Sequence, residues 1–322
     1  MVAERFRSAD AMNTAARRDW SSLYPFGSHY LDRGGLAHHY LDEGHGAPVL
    51  MVHGNPTWSF YFRALVQALR PAHRCVVPDH IGCGLSAKPT ASAYGYRLDD
   101  RVDDLERLCA HLGLERGVTL LVHDWGGMIG LAWALRDIRR VARLVILNTA
   151  GFFPPGGKPV PLRLRLIRDL PALAEPAVLG LNLFARAAVW MAPRRRLSPA
   201  VRRGLLAPYD RPAHRLATLR FVQDIPLTSA DPSYATVRRV QDNLWRLARL
   251  PILICWGRHD FVFDGDYLDE WRRRFPAAQV RVFDGAGHYL LEDQPQAVAR
   301  QVRAFLQRPP ATPPPSPTEL HP

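Results

Sequence analysis

An aspartate at position 124 stands where a buried aliphatic run gives way to a stretch of small residues, in Leu121-Val-His-Asp124-Trp-Gly-Gly-Met-Ile-Gly130. Small neighbours let the backbone bend sharply between a strand and a helix, and the side chain then stands exposed at the helix N-terminus, where free N–H groups favour negative charge. Serine is the usual occupant of such an elbow, in a Gly-x-Ser-x-Gly setting; here Val122 takes the place of the first glycine and Gly126 that of the second. The plainer reading of Asp124 is a simple helix cap, a role aspartate often takes. An elbow serine acylates on carbonyl carbon. An aspartate is ionised at neutral pH, its ordinary pKa being about 3.9, and it attacks saturated carbon to give an alkyl ester. The substrate then needs a leaving group on an sp³ carbon, which admits halides, epoxides and strained lactones.

Two later loops supply partners for it. Cys255-Trp-Gly-Arg-His-Asp260-Phe-Val-Phe-Asp264 follows one strand-like run, and Gly285-Ala-Gly-His288-Tyr-Leu-Leu-Glu-Asp293 follows the next. Nucleophile, acid and base thus come in the order Asp124, Asp260, His288. Among 13 histidines, His288 is set apart by its glycine-flanked loop and by that order. Asp260 is expected to hold one imidazole nitrogen and leave the other to act. Asp264 and Glu292 are its rivals, Asp264 being better suited to capping a helix. A further loop, His53-Gly-Asn-Pro-Thr-Trp58, is expected to form the opposite wall. Backbone N–H groups at Asn55 and Trp125 would make an oxyanion hole. The Asn55 amide and Trp125 indole N–H would hold a departing anion; a turn residue before Pro56 and ordinary core packing are the plainer readings of those two.

The elements that must carry these loops are also legible. Short aliphatic runs alternate with longer amphipathic stretches over about residues 30–148 and again over 251–306, the mark of βαβ units and a mostly parallel sheet. The runs from Pro48 to His53, Arg74 to Pro78, Val118 to His123, Arg143 to Leu147 and Pro251 to Cys255 read as strands covered on both faces by helices. Gln279 to Phe283 is another, and His29 to Asp32 with Leu36 to Asp42, joined through Arg33-Gly-Gly35, reads as an antiparallel hairpin at the sheet edge. The expected organisation is an N-terminal extension (1–25), a core in two parts (26–150 and 237–308), a cap of proline-punctuated helices between them (151–236) and a proline-rich disordered tail (309–322).

Composition excludes several classes. With 322 residues, 47% hydrophobic and 22% charged, the chain has the balance of a globular protein with room for one large domain and an insertion. It contains no run of about 18 apolar residues, and Arg5, Arg7, Arg17 and Arg18 stand near its start without an apolar stretch, so neither a spanning helix nor a secretory signal is expected. Cys75, Cys83, Cys109 and Cys255 show no CxxC spacing, which argues for a reducing, cytoplasmic setting and against a structural metal; no cofactor is expected. The net charge is +12, yet 40 of the 42 basic residues are Arg and no helix-turn-helix or stacking motif accompanies them, so nucleic acid is not expected as a partner. The cap alone sets 13 basic residues against 5 acidic ones. Arg163, Arg165, Arg168 and Arg194-Arg-Arg196 could dock an acidic partner or touch an anionic membrane surface, the plainer reading being a solvated face. Leu162, Leu166, Ile167, Leu181, Leu183 and Phe184 are candidates for the lining of an alkyl tunnel.

The motifs HGNPTWS at 53–59, DHIGCGLS at 79–86 and HDWGG at 123–127 resemble those of the haloalkane-dehalogenase-like α/β-hydrolases, over about residues 30–306. The resemblance implies an α/β-hydrolase fold, a mostly parallel eight-stranded sheet flanked by helices with an inserted helical cap. It implies a nucleophile at Asp124 and a leaving-group site at Asn55 and Trp125. RVDDLERLCAHLGL at 101–114, HDWGGMIGLAWA at 123–134, LAPYD at 206–210, ATLRFVQDIPL at 217–227 and CWGRHDFVFD at 255–264 are similar to one branch in particular, the β-lactone decarboxylases of bacterial long-chain olefin biosynthesis. Several of these segments lie in the cap, which differs most between activities.

That branch implies conversion of a cis-3-alkyl-4-alkyloxetan-2-one, a hydrophobic substrate with long alkyl chains, into a cis-alkene and carbon dioxide. Because such a long-chain lactone is nearly insoluble, it would gain from direct transfer out of the enzyme that makes it, so a complex with the β-lactone-forming synthetase of the same pathway is a candidate partnership. Attack by Asp124 on the ring carbon bearing oxygen, followed by loss of carbon dioxide opposite the departing ester, would keep cis geometry; direct ionisation to a carbocation shielded by Asp124 fits equally. Hydrolytic dehalogenation, with His288 activating water, uses the same residues. Epoxide hydrolysis needs acid donors from the cap, for which Tyr209 and Tyr234 are available. A binding or scaffold protein without turnover is the remaining class, and the intact set Asp124, His288, Asp260, Asn55 and Trp125 argues against it.

Overall fold

The computed structural model describes residues 20–308; residues 1–19 of the expected extension and the tail 309–322 lie outside the described residues, while Trp20 and Tyr24, at the end of that extension, are buried in the core against Trp58 and Phe60. Eight strands form one sheet: β1 (His29–Asp32), β2 (Ala37–Glu43), β3 (Pro48–Val52), β4 (Arg74–Pro78), β5 (Val118–His123), β6 (Val141–Leu147), β7 (Ile252–Gly257) and β8 (Gln279–Phe283). Their order is β1-β2-β4-β3-β5-β6-β7-β8, with β2 antiparallel to both its neighbours and all other pairs parallel. The sequence places β1 and β2 correctly as an edge hairpin.

The central strands are continuously apolar because both faces are covered, yet their alternation still sorts side chains between two cores. Leu50, Val52, Leu120 and Val122 belong to one cluster; Val49, Met51 and Leu121 belong to the other. Three helices join the strands of the first half: α1 (Arg63–Leu69), α2 (Leu98–His111) and α3 (Trp125–Arg136). Past β6 the chain leaves the sheet for α4 (Leu162–Asp169), α5 (Pro171–Glu175), a π-helical turn at Pro176–Gly180, α6 (Leu183–Met191), α7 (Pro199–Leu206) and α8 (Leu216–Gln223). Prolines 171 and 199 stand at helix starts, where their missing N–H costs nothing, and they keep these helices short. The chain returns through α9 (Tyr234–Asn243), which packs on α3, so residue 236 falls inside one helix. After β7 come α10 (Gly265–Arg274), β8 and α11 (Pro295–Leu306), whose Val298, Val302 and Phe305 recur at helical spacing and are buried in the second core.

Each segment singled out for chemistry leaves the carboxyl edge of a parallel strand: His53–Trp58 follows β3, Asp124 follows β5, Asp260 follows β7 and His288 follows β8. Open α/β sheets bind ligands at that edge. At the elbow Asp124 adopts φ 52° and ψ −130°, a conformation that costs a non-glycine residue about 1–3 kcal/mol. The turn is tight enough that a methyl group on Gly126 would strike the backbone carbonyl of Val52, which has no freedom to yield. Replacing Gly126 by Ala should therefore destabilise the fold by about 1–3 kcal/mol. The expected sign is a lower urea midpoint with an unchanged slope; an unaltered midpoint would show that the elbow has slack.

Candidate active site

His288 lies between two carboxylates. Its Nδ1 is 2.8 Å from Asp260 Oδ2, and its Nε2 is 3.4 Å from Asp124 Oδ2, an ion-pair separation rather than a short hydrogen bond. Asp260 is held by three further donors: Val262 N–H at 2.6 Å and Phe263 N–H at 3.0 Å on Oδ1, and the Asn148 amide at 2.9 Å on Oδ2. The rivals are occupied elsewhere. Glu292 forms a bidentate pair with Arg63 at 2.6 and 2.7 Å, and Asp264 caps α10 and binds the Lys158 ammonium.

Asp124 does not cap α3; its side chain accepts no hydrogen bond from that helix. Instead Asp124 Oδ1 accepts the Asn55 backbone N–H at 2.6 Å. A charge-assisted bond of this kind contributes about 1.5–3 kcal/mol, comparable with the backbone strain at the elbow. Gly54 makes the approach feasible, since a methyl group there would run into the Asp124 carboxylate. The Thr149 hydroxyl holds the Asp124 carbonyl from behind.

Burial would by itself raise the Asp124 carboxyl, but the hydrogen bonding and charge of His288, together with the Asn55 N–H, hold it below the usual carboxylate range. Burial would lower His288; the charge of Asp260 and the contacts with both carboxylates outweigh it and push the imidazole up to about 10. His288 thus rests as an imidazolium between Asp260 and Asp124. His123, pushed down to about 3 by burial and then by the His288 charge, stays neutral, and its Nε2 meets the His288 carbonyl at 2.9 Å.

The anion wall departs in part from expectation. The Asn55 side-chain amide donates to the carbonyl of Thr218 in α8 at 3.0 Å, so it ties the loop to the cap and leaves one N–H for a ligand. Trp125 lines the pocket beside it, its ring centroid 5.4 Å from that of Phe221. The HGNPTWS and DHIGCGLS loops are joined beneath by Asp79, which accepts from Ser59 N–H at 2.6 Å, Leu85 N–H at 2.8 Å and His39 Nδ1 at 2.8 Å. His80 adds a bond to the His53 carbonyl at 2.8 Å.

Asp124, Asn55, Trp125 and His288 open onto a cavity of about 450 Å³ roofed by the cap. Its walls are largely aliphatic and aromatic. Of the tunnel candidates, Ile167, Leu183 and Phe184 line it, whereas Leu162, Leu166 and Leu181 point outward and are exposed. Neither cap tyrosine lines it: Tyr209 is fully buried with its hydroxyl 3.4 Å from the Thr57 carbonyl, and Tyr234 packs on Phe153. Sequence reasoning passed over Asn148, His123 and Thr218. The first two were within reach, because each stands as a polar residue at the end of a parallel strand, β6 and β5. Thr218 carries no such signal.

The raised imidazole has a stability consequence of definite sign. A group whose folded pKa lies above its unfolded value of 6.5 stabilises fully below that value and loses the contribution as pH rises through about 10. His288 is expected to keep its proton across neutral pH. Asp260→Asn removes the carboxylate whose charge most favours the imidazolium, and it should bring the His288 titration down toward neutrality. Imidazole ¹⁵N shifts followed against pH read this directly; a wild-type His288 titrating near 6.5 would sink the assignment.

Comparison with known proteins agrees with this architecture. The α/β hydrolase fold family model matches residues 47–295. The chain is 48% identical over 286 residues to a cis-3-alkyl-4-alkyloxetan-2-one decarboxylase from Shewanella oneidensis, covering 88% of this chain and 90% of that protein. It is 33% identical over 283 residues to haloalkane dehalogenase 2 from Mycobacterium bovis, covering 87% of this chain and 95% of that protein. A haloalkane dehalogenase structure from Bradyrhizobium elkani superposes with a TM-score of 0.77 at 26% identity, covering 87% of this chain and 97% of that one. The chain belongs to the α/β-hydrolase family, on its haloalkane-dehalogenase-like branch.

Proposed function

We propose that this enzyme decarboxylates cis-3,4-dialkyl-β-lactones to cis-alkenes, with Asp124 as nucleophile, in the manner of long-chain olefin biosynthesis. The observation that carries the reading is His288 set between the carboxylates of Asp260 and Asp124 at the base of an apolar cavity. The greater identity to a decarboxylase, 48% against 33% to a dehalogenase, supports it. Neither cap tyrosine, Tyr209 or Tyr234, lines the cavity, so the cap supplies no acid donor of the kind epoxide opening would use; the tyrosines that do line it, Tyr267 and Tyr289, come from the core.

An Asp124 oxygen attacks the ring carbon that bears oxygen, with inversion, and the bonding pair of the broken C–O bond passes to the lactone oxygen to give a free carboxylate. The remaining Asn55 amide N–H and the Trp125 indole N–H receive that carboxylate. The bond between the α-carbon and the carboxylate then breaks; its pair forms the alkene while the ester C–O bond returns its own pair to Asp124. Carbon dioxide leaves, and no water or proton is consumed. Inversion followed by anti elimination is syn overall, so cis lactone gives cis alkene. His288 acts as a fixed positive charge beside both carboxylates, and Asp260 keeps it protonated and oriented.

Wild type, Asp124→Ala and His288→Gln should be incubated with a synthetic cis-dialkyl-β-lactone and, separately, a 1-bromoalkane, assaying alkene and bromide. Alkene is expected from wild type, with Asp124→Ala slower by at least about a thousandfold. His288→Gln should lose about a hundredfold or less, since it removes a stabilising charge and not a bond-forming atom. Bromide without alkene would make the enzyme a dehalogenase and overturn the reading.

A further inference from the structure

The cap carries apolar side chains on both of its surfaces. One set faces the cavity, including Leu164, Ile167, Leu183 and Phe184. The other faces outward: Leu162 is 71% exposed, Leu181 63% and Trp190 56%, with Leu166, Leu170 and Leu173 exposed beside them. Scattered surface leucines are ordinary, but these sit on consecutive helices that roof the site, and a concentration of that kind marks an interaction surface. The internal packing of this part of the cap is thin, its separate buried cluster being Ala174, Val178 and Leu219. Among the described residues no single helix is long and apolar enough to cross a membrane, while the bent pair Pro171–Gly180 and Leu183–Met191 reaches that length and composition only across a 71° bend. Such a pair suits lying on a lipid surface better than spanning one.

Charge surrounds these side chains. Arg163, Arg186 and Arg194 to Arg196 are exposed, and among the described residues the guanidinium of none of them pairs with a carboxylate, although the backbone N–H groups of Arg194 and Arg195 donate to Asp293. The acids nearby are Asp169 and Asp210, engaged by Arg165, Arg168, Arg211 and His214, the exposed Glu175, and the buried Asp293, which the Arg194 and Arg195 backbone N–H groups engage. Trp190 lies between Arg202, 4.3 Å from its ring centroid, and Arg196, at 5.6 Å. Arg186, Trp190 and Arg202 also line a cleft on the face of α6 turned away from the substrate cavity. Indole flanked by guanidinium is the side-chain mixture that settles at headgroup depth, where one end is wet and the other apolar.

We propose that the outer face of α4 to α7 docks on an anionic phospholipid surface and turns the mouth of the cavity toward the lipid. Met191 and Leu183, half-exposed and lining the cavity, then stand at the junction between bilayer and site. Charge complementarity selects the occupant: unpaired arginines meet lipid phosphates while leucines and Trp190 enter the acyl boundary. That the docked face also delivers substrate rests on the proposed long-chain lactone; docking itself does not.

Sedimentation with vesicles of phosphatidylcholine alone, and of phosphatidylcholine mixed with phosphatidylglycerol, tests it. Wild type and Asp124→Asn should bind the mixed vesicles equally, which separates docking from the reaction. Arg194→Gln/Arg195→Gln/Arg196→Gln should weaken binding about a hundredfold, since each arginine near such a surface contributes about fivefold. Leu173→Glu/Leu181→Glu, at exposed positions outside the cavity, should release the protein with its melting temperature unchanged. No binding to mixed vesicles, equal binding to both kinds, or indifference to either set of substitutions would overturn the proposal. Salt-sensitive capture of an acidic protein without vesicle binding would assign the face to that protein instead.

Discussion

Two carboxylates share one imidazolium, and the geometry that permits this dictates the rest of the site. Each of these ions loses several kcal/mol of hydration on burial, and mutual attraction repays that only when the remaining lone pairs are also satisfied. They are. Asp260 accepts two backbone N–H groups and the Asn148 amide, and Asp124 accepts the Asn55 N–H. All of these donors come from turns at one edge of one sheet, where strand register fixes their spacing. A site assembled on mobile loops would not hold His288 at 2.8 Å from one carboxylate and 3.4 Å from the other.

The elbow shows how that geometry is maintained against strain. Asp124 sits at positive φ because the turn between β5 and α3 leaves no other route, and glycines at 54 and 126 clear the space that side chains would fill. Below it, Asp79 and His80 bind the two flanking motif loops to each other, so the Asn55 N–H arrives at a fixed height. The motifs HGNPTWS and DHIGCGLS thus act as one rigid wall. Their polar residues largely serve that wall, and Asn55 alone reaches the Asp124 carboxylate.

Much of this was legible because strands and their order leave one-dimensional traces. Continuous aliphatic runs located the parallel strands, and the polar residues just beyond them had to fall at one edge, which by itself brings Asp124, Asp260 and His288 into the same region. The cap was less legible for a physical reason. Helix α4 has Leu162 and Leu166 on one face and Leu164 and Ile167 on another, so apolar residues occur all round and periodicity does not say which side faces the cavity. The tie from Asn55 to Thr218 was hidden likewise, since it depends on where a helix about 160 residues later comes to rest. The Arg63–Glu292 pair, which takes Glu292 out of contention, spans an even longer separation.

Charge accounting distinguishes the two chemistries this scaffold can support. In the proposed reaction alkylation would turn Asp124 into a neutral ester, and His288 would lose one of the two carboxylates that keep it protonated. If the leaving group were a halide that diffuses away, the imidazole would be left with Asp260 alone and could release its proton to solvent, after which the neutral ring could take one from water and promote hydrolysis of the ester. With a lactone, the leaving group remains attached as a new carboxylate beside Asn55 and Trp125. Under the proposed mechanism that carboxylate would replace the charge Asp124 surrendered, so His288 would stay cationic and water would not be activated while the ester exists. Elimination of carbon dioxide would then return the charge to Asp124 in the step that forms the alkene. On the proposed reading hydrolysis and decarboxylation would need no different catalytic residues. The substrate, by keeping or losing its anion within the cavity, would determine whether the imidazole serves as a base or as a charge.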